Sequence, residues 1–271
     1  MPSPPLPYKQ SIWDRPSIIA DKAAVLADAP DDHHRARLLA VSAPHSGDWL
    51  HALPISSCGL RLDDETIRVA VGLRLGVNLC QPHQCPCGTL VDARGTHGLA
   101  CRRSSGRLAR HQYINDLIWR GLARAGIPST KEPSGLSRTD GKRPDGLSLI
   151  PWQNGRNLIW DVTVADTLAI SHLPSTSASA GAAAESAATK KVAKYSSLSQ
   201  TYLFIPIACE TLGPMNVTAL NFLSDLGRRI TAVTGDPREK TFLFQRLSIA
   251  IQRFNGACFL GSFILPPDVD G

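Results

Sequence analysis

Between Cys80 and Arg103 the chain loses every regular apolar period and becomes a run of Gly, Pro, Cys and His. A segment of that make-up reads as a small loop-rich unit, which a metal ion could staple from within. The staple is suggested by Cys85-Pro-Cys87-Gly followed by His97-Gly-Leu-Ala-Cys101. Two closely spaced pairs of thiol and imidazole ligands let a short segment close around a tetrahedral zinc ion. Four protein ligands leave no open position, so such a zinc would be structural. Cys80 or His83 could replace one of the four, and a small apolar cluster of free cysteines is the competing reading. Disulfides are not expected. The cysteines number seven, and the opening MPSPPLPYKQ has no apolar stretch of a secretory signal, so an intracellular chain is expected.

Outside this window apolar periodicity returns. With 271 residues, 43% of them hydrophobic, the chain can build a real core. No apolar run approaches the roughly 18 residues a membrane span needs, so no membrane partner is expected. Helical spacing is read at Ile18 to Ala27, Ala36 to Val41, Trp49 to Leu53 and Leu62 to Leu75. Further on it recurs at Gly106 to Ala125, Ala182 to Leu198, Val217 to Val233 and Arg238 to Phe254. Strands are predicted at Leu147 to Pro151, Asn157 to Ala165 and Tyr202 to Ala208, the first two joined as a hairpin through residues 152–156. Pro128 to Arg143 reads as loop. The expected class is α/β, a small mixed sheet flanked by helices, with a zinc knuckle and an N-terminal helical segment. The expected divisions are a flexible arm (1–35), a helical connector (36–79), the knuckle (80–103) and a larger domain (104–271).

Charge is concentrated. Arg102, Arg103, Arg107, Arg110, Arg120, Arg124 and Lys131 face Asp116 alone in one stretch, an excess equal to the net +6 of the whole chain. A local basic patch on a neutral body suggests a polyanion partner, most simply nucleic acid, although a solvated helix face reads the same way.

Two carboxylates fall close to the hairpin. Asp145, in Arg143-Pro144-Asp145-Gly146, precedes the first strand, and Asp161 lies inside the second. With the loop centred near Asn154, Asp145 is expected opposite Thr163 and diagonal to Asp161. Converging carboxylates at a strand end are what a hard cation such as Mg²⁺ asks of a protein when phosphate oxygens complete its shell. Pro-Asp-Gly is also a common turn, whereas a carboxylate beside Trp160 in a buried strand needs a partner. Lys190, Lys191 and Lys194 follow on the next helix. Lys191 and Lys194 share a face, and Tyr195 comes four after Lys191.

The order of these motifs resembles a known family. A Cys-Cys-His-Cys knuckle, Arg110-His111, Arg143-Pro144-Asp145, Asp161, then Lys191 and Lys194-Tyr195 looks like the restriction-like endonuclease at the C-terminal end of site-specific non-LTR retrotransposon polyproteins. That family belongs to the PD-(D/E)XK nuclease superfamily. The resemblance covers about Cys80 to Tyr202. Residues 36–79 look like the connector that follows the reverse transcriptase in such elements.

The resemblance implies a metal-dependent DNA endonuclease, with a nucleic-acid-binding remnant that does not cut as the alternative. Asp145 and Asp161 would bind catalytic Mg²⁺ or Mn²⁺, and Lys191 or Lys194 would stabilise the pentavalent phosphate. Cys85, Cys87, His97 and Cys101 would hold structural Zn²⁺. Arg110 and His111 would sit beside the active site or contact DNA, and with them Arg102, Arg103, Arg107 and Arg143 would bind DNA or, as the other polyanion, RNA. A partly buried histidine is an equal reading of His111. Thr163 stands where the simple Asp-x-Lys motif has its lysine, which transfers that role to the helix. No Tyr/Phe-x-Asp-Asp signature occurs, so the chain is expected to be a detached nuclease piece with a nuclear setting.

Overall fold

The protein is described by a computed structural model over residues 10–136 and 143–264. In chain order the elements begin with α1 (Gln10–Trp13), α2 (Arg15–Ala27), α3 (Asp32–Val41) and α4 (Asp64–Leu75). The knuckle region contributes β1 (His83–Gln84), β2 (Leu90–Val91) and α5 (His97–Ala100). Then come α6 (Ser105–Arg124), β3 (Ser129–Lys131), β4 (Gly146–Gln153), β5 (Arg156–Ala165), α7 (Leu173–Thr176) and α8 (Ala182–Lys194). The series closes with β6 (Leu203–Glu210), α9 (Val217–Thr234) and α10 (Glu239–Leu260).

The class is the expected one, α/β with a small mixed sheet flanked by helices. Strands run in the order β3-β4-β5-β6, with β5 and β6 parallel and the other pairs antiparallel. A parallel neighbour demands a crossover, and α7 and α8 supply it. One face of the sheet presents Leu158, Trp160 and Val162 to apolar side chains of α6, α9 and α10, among them Ile118, Leu223 and Leu247. The other face is covered by α8, whose Ala184 and Ala188 pack on Ala208 of β6. Alternation along β5 therefore sends its apolar set to the main core and Asp161 toward α8.

The hairpin between β4 and β5 is tighter than the five-residue loop read from the sequence. Its turn is Asn154-Gly155, with φ of 50° and 71°, between the paired residues Gln153 and Arg156. Positive φ at both positions is what a two-residue hairpin turn requires, and Asn-Gly tolerates it best. The ladder then slips at two irregularities, between Leu147 and Pro151 and between Pro151 and Gln153, so that Gly146 pairs with Trp160. Gly146 is needed there, because a Cβ would lie 2.0 Å from Trp160 Cζ2.

β3 falls inside the stretch expected to be loop. It is a three-residue edge strand of Ser, Thr and Lys, with no apolar alternation to announce it. α10 extends six residues past its expected end at Phe254, because Cys258 and Phe259 pack in a second core with Ala36, Ala40, Val69 and Leu73. The segment 36–79 thus shares a core with the C-terminal helix. Residues 1–9 of the expected arm lie outside the described residues, whereas 10–35 include α1, α2 and the start of α3.

Candidate functional site

The knuckle ligands do come together. Cys85, Cys87, His97 and Cys101 each offer a donor atom within 4.8 Å of the other three. Cys85 Sγ lies 3.8 Å from Cys101 Sγ, and Cys87 Sγ lies 3.2 Å from His97 Nε2. The β1–β2 hairpin presents the first pair, and α5 presents His97 with Cys101 at its C-cap. Hydrogen bonds from Thr89, then from Cys85 and His97, lower the Cys87 thiol to about 6. Burial pushes the Cys85 thiol up to about 11. Three sulfurs and one imidazole nitrogen in such a cluster could hold a metal such as zinc. Cys80 and His83, the alternative ligands, are engaged elsewhere. The Cys80 thiol faces the Asp92 carbonyl at 3.5 Å, and His83 contacts Ser262 Oγ at 3.0 Å while stacking on Phe263.

Downstream, a second constellation forms where α6, β4, β5 and α8 meet. Asp145, Asp161, Lys191, Lys194, His111 and Arg143 all line one cleft of about 310 Å³. The register differs from the sequence expectation. The two ladder irregularities draw Asp145 two residues back, so it straddles Asp161 rather than facing Thr163. Its N–H donates to the Trp160 carbonyl at 2.9 Å, and its Oδ2 accepts the Val162 N–H at 2.6 Å. The same oxygen lies 3.0 Å from His111 Nε2. The Asp145 carboxylate raises the His111 pKa above its ordinary value, against the opposing effect of burial.

Asp161 is 3% exposed, and both its oxygens have partners. Lys191 Nζ donates to Oδ1, and the Tyr195 hydroxyl lies 2.7 Å from Oδ2. Lys194 donates to the same hydroxyl at 2.8 Å, and the Arg143 carbonyl is 2.9 Å from it. The placement of α8 begins at its N-terminus, where buried Glu210 of β6 accepts the N–H groups of Ala183 and Ala184. A carboxylate there suits the positive end of the helix, although burial pushes the Glu210 pKa up.

The arginines divide. Arg102 and Arg107 are exposed beside the acidic cleft. Arg103 donates to the Pro86 carbonyl of the knuckle, and Arg143 pairs with Glu132. Arg110, expected beside the active site or in contact with DNA, lines the cleft next to the acidic one with its guanidinium drawn inward. It is 2% exposed, donates to Asn255 Oδ1 and the Leu99 carbonyl, and belongs to the interior. Its position on α6 faces α10, a fact of packing that its charge conceals. At the far end of α6, Arg120 and Lys131 pair with Asp116 and Arg124 with Glu239, so part of the basic excess is already neutralised.

Three participants were given no site role from the sequence, although Tyr195 was singled out there beside Lys194. Asn115 donates to the Asp145 carbonyl at 3.3 Å and accepts from Trp160 Nε1 at 2.8 Å; it lies four after His111, a helical spacing that could have pointed to it. Tyr195 is fully buried against Asp161. Glu132, at φ 48°, also lines the acidic cleft, and no sequence signal marked it.

The chain matches no protein family model and no curated protein. Among the described residues no helix is long and apolar enough to cross a membrane.

Proposed function

We propose that this chain is a metal-dependent DNA endonuclease of the PD-(D/E)XK type, akin to the C-terminal nuclease of site-specific non-LTR retrotransposons. The observation that carries the reading is the convergence of Asp145, Asp161, Lys191 and Lys194, from three separate elements, on one cleft. Asp145 and Asp161 would hold Mg²⁺ or Mn²⁺. When bound, such an ion offsets charge building on a phosphodiester and makes water a better nucleophile. Both oxygens of Asp161 are engaged, so the pair fits a cation only when Lys191 gives up Oδ1. His111 and the Val162 N–H hold Asp145 in orientation. Lys191 and Lys194 bring positive charge to the position of the reacting phosphate. The knuckle, with zinc, would brace the start of α6, which carries His111.

A second reading, binding without cleavage, is favoured by the Lys191–Asp161 contact, which already neutralises the buried acid. Supercoiled and branched DNA incubated with Mg²⁺ or Mn²⁺ separates the two. Nicking by the wild type that is lost in both Asp145→Ala and Asp161→Ala is the expected result. No nicking by the wild type, or equal nicking by both variants, sinks the nuclease reading.

A further inference from the structure

A second cleft, of about 410 Å³, adjoins the acidic one and shares His111 and Lys191 with it. Its walls include Arg102 and Ser104 just before α6, Arg107 and Arg110 from its first turns, and Thr163 from β5, with no Asp or Glu among its lining residues. Three buried polar atoms of those residues have no hydrogen-bond partner: Ser104 Oγ, Arg110 Nε and Thr163 Oγ1. All three can donate. Ser104 is 8% exposed and Arg110 2% exposed. A buried donor left without an acceptor is costly, and the Ser104 and Thr163 hydroxyls, which turn about a single bond, are the two that an acceptor-rich ligand in the cleft could satisfy.

The charge around them has the same sign. Ser104 occupies the N-cap position of α6, a helix of 20 residues, yet its side chain makes no cap hydrogen bond. The Arg107 N–H donates to the Ser104 carbonyl at 3.3 Å, but no side chain caps the positive end of the helix dipole, which favours an anion. Arg102 and Arg107 stand exposed at the rim, in no ion pair with a described carboxylate. Arg110 adds a buried positive charge beneath.

We propose that this cleft is a phosphate seat that grips the DNA strand one step along from the acid pair. The identity of the anion rests on the nuclease reading, because the adjoining cleft would process a phosphodiester of the same strand. A side-chain rotation turns the Ser104 and Thr163 hydroxyls into the cleft, and Arg102 and Arg107 close from the rim. Held there, a neighbouring phosphate sets the register of the scissile one.

The probes are inorganic phosphate, followed by calorimetry, and a short single-stranded DNA without added divalent cation, followed by fluorescence anisotropy. Thr163→Val keeps the shape and removes the hydroxyl, and should weaken phosphate binding about fivefold. Arg102→Gln with Arg107→Gln should weaken DNA binding about tenfold and lower the slope of log affinity against log salt by about 1.4. Arg228→Gln, an exposed change on α9 outside the cleft lining, should bind phosphate as the wild type does. Unchanged phosphate affinity in Thr163→Val, with an unchanged salt slope in the double variant, overturns the seat. If these variants weaken binding as stated while the wild type nicks no DNA, the nuclease reading falls and the seat stands.

Discussion

His111 on α6 and Asp145 at the head of β4 meet with 3.0 Å between Nε2 and Oδ2. The contact ties the helix that follows the knuckle to the strand that opens the hairpin. Because the folded pKa of His111 is raised from 6.5, the imidazolium is favoured in the native state. Its contribution to stability is full below about 6.5, where the unfolded group is also protonated, and is lost as pH rises through the higher folded value. Thermal unfolding of the wild type and of His111→Gln across that range should give curves that converge as pH rises. Curves that stay parallel would show that the contact carries no ionic stabilisation. Asp145→Asn should remove the same pH-dependent increment.

Metal removal tests the knuckle. Protein prepared with zinc should release one ion per chain to a chelator, with a fall in melting temperature, since a ligand that binds only the folded form stabilises it. Cys87→Ser and His97→Ala should bind the ion far more weakly, whereas Cys80→Ser should bind it as the wild type does. Retention of full affinity by Cys87→Ser would exclude this cluster as the site.

Arg110→Gln should act first on stability, because its guanidinium is held in the interior. It leaves Asn255 Oδ1 and the Leu99 carbonyl without their buried charged donor, which costs about 3 kcal/mol. Urea denaturation should show that loss. Arg102→Gln, at an exposed position, should stay within about 0.5 kcal/mol of the wild type.

Gly146→Ala should disturb the acidic cleft from beneath. The added Cβ would lie 2.0 Å from the buried Trp160 ring, and overpacking of this kind costs about 2 kcal/mol. The neighbouring Asp145 would shift with its strand, so any nicking activity should fall along with stability. A Gly146→Ala protein with wild-type urea midpoint would show that the ring yields freely.

Tyr195→Phe removes the hydroxyl between Lys194 and Asp161. Losing a buried hydrogen bond to a charged group should cost about 2 kcal/mol by urea denaturation, with the far-ultraviolet spectrum unchanged.

Much of the fold was legible because its signals are local. Asp63 accepting the Thr66 N–H at 2.8 Å opens α4, and Gly76 closes it in the left-handed conformation, so the acidic first turn at 63–65 and the apolar spacing after it located that helix well. α6, α8, α9 and β5 followed their periodicities in the same way. The knuckle was legible for a related reason. Its ligands lie within seventeen residues of chain, where spacing alone limits the geometry. β3 was missed because three polar edge residues carry no pattern, and the end of α10 was missed because its last turns are held by α3 and α4.

By itself, then, the sequence determined most element types, the hairpin and, with Cys80 and His83 as alternatives, a Cys/His cluster that could hold a metal, each encoded within one window of chain. Only the tertiary structure decided which residues meet across windows. Asp145 straddles Asp161 because two ladder irregularities move the register. Lys191 reaches Asp161 because a parallel neighbour forces the chain over through α8. Arg110 turns inward because α10 packs along α6, while Arg102 and Arg107 stay outside. Residue type sets what a side chain can do, but burial and register are sums over distant contacts, and those exist only once the core has closed.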